Sequence, residues 1–266
     1  MQLKRILVAS KPWERGLPLA ASHARQLAQV AGAQLQLLGT VFDARAAAGS
    51  DGGDPAAALA RDRAVAGARV ALERLARSLR DWGANVTTKV NWGVPVYEGI
   101  LAAAREWRAD LVVIGTHEPG TLHTRLTDTD WQLMRRAECP LLLVRNAAFA
   151  GYGTVVAAVD SLQAQGELYG LDRVVLDAGR CIARACGSTL RAVAANEVDL
   201  VAGSVADAII DTVEERDATL LVVGTPRPRG ALTATLDRTA EIVVASVACD
   251  VLLVPKTLAV LRSKVG

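Results

Sequence analysis

LVVIGT at residues 111–116 returns as LLVVGT at 220–225. Each is a short apolar run that closes on glycine and threonine, the pattern of a strand buried on both faces that opens into a turn. Working outward, Cys139-Pro-Leu-Leu-Leu-Val-Arg145 returns as Cys249-Asp-Val-Leu-Leu-Val-Pro255. The opening run Arg5-Ile-Leu-Val-Ala-Ser10 returns as Thr154-Val-Val-Ala-Ala-Val-Asp160. Markers repeated in the same order define an internal duplication. Between them the first half shows helical patterning over Leu17–Ala31, Pro55–Trp82, Val96–Arg108 and Thr129–Ala137. Apolar strands alternating with amphipathic helices predict a parallel, doubly wound sheet covered on both faces. The expectation is two tandem α/β domains, residues 1–148 and 149–266, joined through Asn146–Gly153.

The halves are unequal. About forty residues, Asp43 to Trp82, separate the second and third strands of the first half and include a long helix. In the second half Thr189–Ala195 runs almost directly into Val198–Gly203. Adjacent parallel strands need a crossover of a dozen residues or more, which Asn196 and Glu197 cannot supply. The second domain is therefore expected to lack one crossover helix, with this segment forming a tight antiparallel hairpin or one bent strand.

Composition narrows the function classes. A net charge of +2 over 266 residues gives no general pull toward nucleic acid. No apolar run approaches the roughly 18 residues of a membrane span, and the apolar start is too short for a signal peptide, so a cytoplasmic protein without membrane contact is expected. Cys139, Cys181, Cys186 and Cys249 show no Cys-x-x-Cys spacing and read as reduced core thiols rather than metal ligands.

The order strand, Gly-Thr, loop, helix, Cys-Pro, strand resembles the universal stress protein family. Thr127-Asp-Thr-Asp-Trp-Gln-Leu-Met-Arg135 resembles the Thr-Asp-Trp signature in the first domain of its tandem E-type members, and Leu236-Asp-Arg-Thr-Ala-Glu-Ile-Val-Val244 resembles the family's Leu-Gly-x-Thr-Ala-Glu helix start. The resemblance covers nearly the whole chain. It implies a five-stranded flavodoxin-like sheet of the adenine-nucleotide alpha-hydrolase type. It also implies pairing of the last strands, Pro140–Val144 with Val251–Val254, in an internal pseudo-dimer that leaves room for further homodimerisation.

ATP-binding members of that family carry Gly-x-x-Gly, nine residues, then Gly-Ser or Gly-Thr. Glycines let the backbone approach phosphate oxygens, and free amides at a helix N-terminus receive them. Here Gly115 keeps the first position, Glu118 takes the second, and Asp128-Thr129 replaces the final pair. The second half departs at the same places, with Gly224, Arg227 and Asp237-Arg238. An aspartate at a helix start is a good N-cap, stabilising by roughly 1 kcal/mol, and occupies the amides a phosphate would use. It also sets like charge beside the phosphate, at ~1–4 kcal/mol for charges 4 Å apart. Asp128 and Asp237 are expected as caps on this ground.

The first-half site, Ser10, Gly115, Thr116, Glu118 and Asp128, thus reads as degenerate. The second half keeps more. The family's adenosine-contacting aspartate after the first strand has its counterpart at Asp160, where the first half is read as offering Ser10. Arg227, Arg229 and Arg238 offset the charge of Asp237. ATP or AMP, if bound at all, is expected on Asp160, Gly224, Thr225, Arg227, Arg229, Gly230, Asp237 and Arg238. Asp160 also reads as a turn or helix-cap residue, Pro226–Gly230 as a stiff solvated loop, and the shortened crossover leaves the adenine wall near Ala195 incomplete.

Other chemistry is sparse. No Gly-x-Ser-x-Gly elbow and no Walker lysine is present. His117, Glu118 and His123 read as loop residues rather than metal ligands, His23 as a surface or interhelical residue, and the five tryptophans as packing. The reading is a non-catalytic stress-response protein, with no required cofactor and no metal, that acts by binding a protein partner or small ligand. The alternative is an adenine-nucleotide switch in the second half with slow ATP hydrolysis. A third reading places an apolar, lipid-like ligand between the domains.

Overall fold

The computed structural model describes residues 2–10, 17–42, 55–116, 126–145, 151–160, 170–194, 204–225, 234–255 and Leu258; at Ser10, Leu17, Pro18 and 234–238 it describes the backbone alone. In chain order the first half comprises β1 (Arg5–Ser10), α1 (Leu17–Ala31), β2 (Gln34–Val41), α2 (Pro55–Asp81), β3 (Val86–Trp92), α3 (Val96–Trp107), β4 (Leu111–Gly115), α4 (Asp128–Arg136) and β5 (Leu141–Val144). The second half comprises β6 (Thr154–Val159), α5 (Gly170–Cys186), β7 (Thr189–Ala194), α6 (Val205–Glu215), β8 (Leu220–Thr225), α7 (Ala234–Ser246) and β9 (Asp250–Pro255).

All nine strands form one sheet in the order β3-β2-β1-β4-β5-β9-β8-β6-β7. Each half is parallel within itself, and the two meet where β5 pairs antiparallel with β9, Leu142 opposite Leu252. The last strands therefore join the halves as expected. Period-two alternation explains the layers. Ile6 and Val8 of β1, Leu142 of β5 and Leu252 of β9 point into a core under α1, α2 and α5. Leu7, Leu143 and Leu253 point into the opposite core, under α3, α4, α6 and α7. Strands apolar on both faces and helices on both sides are one solution to one packing problem.

Among the described residues the second half contributes four strands to the sheet and the first half five. Among the described residues no helix lies between β7 and α6, and the segment between Ala194 and Val205 is too short for a counterpart of the 27-residue α2. The expected hairpin or bent strand, with Ala195 and Val198–Gly203, falls outside the described residues. Close contact shows what the missing helix would do. In the first half a Cβ on Gly39 of β2 would lie 3.0 Å from Leu72 of α2, so the glycine lets that helix press onto the sheet.

Candidate functional site

In an open parallel sheet, ligands enter at the carboxyl ends of the strands where strand order reverses. Those points fall beyond β1 and β4 in the first half and beyond β6 and β8 in the second. Ser10 and Gly115 end the first pair; Val159 and Thr225 end the second.

Strand register corrects one equivalence. Ile6 aligns with Leu111, and Val155 with Leu220. Ser10 therefore matches Val159, and the residue at the place of Asp160 is Lys11 rather than Ser10. The two sequences slip by one residue because both runs are uniformly small and apolar. Lys11 itself lies outside the described residues, as do His117, Glu118, His123, Arg227, Arg229 and Gly230.

At the first crevice the described polar groups of Thr116, Thr127 and Asp130 are engaged within the fold. Thr116 is buried, and both its backbone amide (2.9 Å) and its hydroxyl (3.2 Å) donate to the carbonyl of Val144. The cap of α4 is not Asp128. Thr127 is the N-cap: its hydroxyl oxygen accepts from the amide of Asp130, while the Asp130 carboxylate accepts from the Thr127 amide at 2.7 Å. This reciprocal capping box serves the helix better than a lone aspartate. It leaves Asp128 exposed as the first helical residue and buries Asp130 completely. The crevice helix begins with a buried acid where a phosphate would look for free amides.

The second crevice differs. A Cβ on Gly224 would lie 2.8 Å from Cδ2 and 2.9 Å from Cγ of Leu171, so Leu171 packs directly on the glycine near the end of β8. The next residue, buried Asp172, accepts the backbone amide of Asp160 at 3.2 Å. The first turn of α5 thus covers the strand ends with one apolar and one acidic side chain. Asp160 is half-buried, and burial raises its carboxyl above the usual aspartate range. It does not cap α5, which starts ten residues later at Gly170. Asp237 is not a cap either: α7 begins at Ala234, which puts Asp237 and Arg238 inside the helix.

Catalytic alternatives find little support among the described residues. Burial pushes the thiols of Cys139 and Cys249 up to about 12, which keeps them un-ionised and non-nucleophilic. All four cysteines are free, but only Cys249 is fully buried. Among the described residues no group of three His, Cys, Asp or Glu side chains converges in a way that could hold a metal. No described helix is long and apolar enough to cross a membrane. A cavity of about 370 Å³ opens between α3 and α4, lined by Ile100, Leu133 and Leu141 with Arg108 and Arg136 at its rim and Leu258 from the second half. Its walls come from the first half apart from Leu258, which the second half contributes.

One polar cluster went unread in the sequence. His23, expected at a surface or between helices, is completely buried and faces the first strand residue of the other half's β9. Its Nε2 lies 3.2 Å from Oδ2 of Asp250, and its Nδ1 lies 3.0 Å from the carbonyl oxygen of Leu19. Both ring nitrogens therefore face oxygen acceptors. Tyr152 donates its hydroxyl to the same carboxylate at 2.9 Å, and the backbone amide of Arg145 donates to Oδ1 at 2.8 Å. The Arg145 guanidinium donates to the carbonyls of Val244 and Val247 at the end of α7. Burial lowers the pKa of Arg145, and the negative charges of Asp250 and Asp130 oppose that. The signal was present in the repeat: Cys139-Pro in one half is Cys249-Asp in the other.

A family model described as the Universal stress protein family matches this chain twice, over residues 2–145 and 151–255. Universal stress protein E of Photorhabdus laumondii is 33% identical over 79 residues, 29% of this chain and 25% of that protein; the aligned stretch spans about a quarter of the relative's length. Among solved structures, a functionally unknown protein of Pseudomonas aeruginosa PAO1 superposes with a TM-score of 0.73 at 24% identity, covering 98% of both chains. A putative universal stress protein of Pseudomonas aeruginosa UCBPP-PA14 gives the same TM-score and identity over 98% of this chain and 97% of that one. A universal stress protein of Archaeoglobus fulgidus shares the fold at a TM-score of 0.67 and 14% identity, covering 96% of this chain and 97% of its own.

Proposed function

The chain belongs to the universal stress protein family, and from that premise we propose that it serves a stress response without catalysis, through binding a protein partner or a small ligand, with both nucleotide crevices degenerate. The observation that carries this reading is the seating of Leu171 on Gly224, at the crevice that keeps more of the family's ligand residues. Glycine there serves an apolar side chain of the same chain, and the carboxylate of the next residue, Asp172, accepts from the Asp160 amide. The capping box of Thr127 and Asp130 supports the same reading for the first half, because it uses the helix-start donors and buries an acid among them.

The second reading is an adenine-nucleotide switch in the second half, with Asp160, Gly224, Thr225 and the nearby arginines as contacts. Asp160 favours it: a half-buried acid at the end of the first strand of that half, beside the point where strand order reverses. Thermal denaturation with millimolar ATP and magnesium separates the two. A ligand at 100 times its dissociation constant stabilises by about 2.7 kcal/mol, a shift easily seen. No shift is expected. A clear shift that Asp160→Ala abolishes would replace the first reading with the second.

A further inference from the structure

The cluster of His23, Asp250, Tyr152 and Arg145 lies across the junction of the halves, and the duplication gives each member a counterpart. Register and helix alignment place Ala178 opposite His23, Pro140 opposite Asp250, Pro255 opposite Arg145 and Leu3 opposite Tyr152. All four counterparts are apolar. The approximate two-fold that relates the halves therefore carries a buried polar cluster on one side and an apolar one on the other.

We propose that this asymmetry is what makes the two halves pair with each other within one chain, rather than each with its own like in a second chain. The joining strands are not selective by themselves. β5 (LLLV) and β9 (DVLLVP) are short, apolar and antiparallel-competent, so β5 could equally pair with β5, and β9 with β9, of another copy. The cluster removes that equivalence. In a β9–β9 pairing, Asp250 would meet Pro255, which has no N–H to donate, where it now meets the amide of Arg145. It would also meet Ala178 in place of His23 and keep only Tyr152, which belongs to its own half. The acid would be buried without His23 and without the Arg145 amide, an unfavourable state. In a β5–β5 pairing, His23 would face Pro140 in place of a carboxylate. The surface fits one partner, the complementary half, and excludes a second copy of itself.

The test uses the full chain with a reporter for wrong pairing. Leu142 sits opposite Leu252 in the native junction, and pseudo-symmetry places Leu142 opposite Leu142 in a β5–β5 pairing. Leu142→Cys therefore gives an interchain disulfide on mild oxidation only when two first halves pair, read on non-reducing gels against the same chains without the added cysteine. In the parent background this bond is expected to be absent. With His23→Ala, Tyr152→Phe and Asp250→Ala combined it is expected to form, together with species of twice the parent mass in light scattering. His23→Leu with Tyr152→Phe and Asp250→Leu refills the space with apolar volume and serves if the alanine variant does not fold. A folded variant of either kind that forms no more interchain disulfide than the parent overturns the proposal, as does strong cross-linking in the parent.

Discussion

The first half covers its second strand with a 27-residue helix, and the second half shows no counterpart of that helix among the described residues, so the corresponding strand is more exposed. Leu35, Leu37 and Leu38 of β2 are fully buried, whereas β7 keeps only Ala194 fully buried and exposes Thr189, Arg191 and Ala192. The helix starts that are described also differ between the counterparts α3 and α6. Thr127 caps α4 while α3 begins at Pro95 with no side-chain cap; in the second half it is α6, the counterpart of α3, that carries a capping box, from Ser204 and Asp207. At the junction one half supplies His23 and the other Asp250. A duplication need not keep two equal copies once they share one sheet. Each half can lose what its partner no longer requires, and polar groups gather where only one arrangement satisfies them.

The largest expected effect lies at that junction. Asp250→Ala strips the carboxylate from His23, Tyr152 and the Arg145 amide, and removing one partner of a buried ionic group costs about 3–5 kcal/mol. The counterpart change Pro140→Ala leaves no polar partner stranded and is expected to cost about 1 kcal/mol, the centre of ordinary substitutions. Urea unfolding of the two variants measures the difference directly; equal losses would mean that the junction is as symmetric as the fold.

Next in size is the packing of Leu171 on Gly224. Gly224→Val drives a side chain into Leu171 and should cost about 1–3 kcal/mol, as overpacking does. Adding Leu171→Ala should recover much of the loss, which a double-mutant cycle isolates. A cycle with no coupling would show that Leu171 moves aside freely, and would reopen the crevice as a ligand site. A smaller effect is expected of the caps: Thr127→Ala and Ser204→Ala should each cost about 1 kcal/mol in thermal unfolding.

Fold and site were unequally legible in the sequence. Apolar runs ending in Gly-Thr marked β4 and β8, and the helical period marked all four first-half helices to within a residue at each end, because both patterns follow from burial alone. The caps were misplaced by one residue at Thr127 and by more at Asp237, since threonine and aspartate in tandem offer several equivalent starts until the capping hydrogen bonds are known. The slip between Ser10 and Lys11 has the same origin, as only strand register fixes it. His23 was opaque because its partner lies 227 positions away in the chain. Leu171 was opaque because an apolar residue in the first turn of a helix looks like any other core residue.

The smallest effect probes the second crevice through its acid. Burial raises the carboxyl of Asp160 in the folded protein, so the folded state holds this proton more tightly than the unfolded state. Stability from such a group is fully present below the unfolded value of about 3.9 and is lost as pH rises through the higher folded value. At neutral pH the ionised, half-buried carboxylate is thus a net cost to the fold. Asp160→Asn removes the charge and should be more stable than the parent at pH 7, with the gap closing as pH falls toward 4. The half-exposed position screens the charge and keeps the gain small. Parallel denaturant titrations at several pH values read this difference. A gap that stays constant with pH would mean that burial does not set the state of this acid. A variant less stable than the parent at neutral pH would mean that the charge is held by a favourable partner, which is the condition the nucleotide-switch reading needs and the degenerate-crevice reading does not.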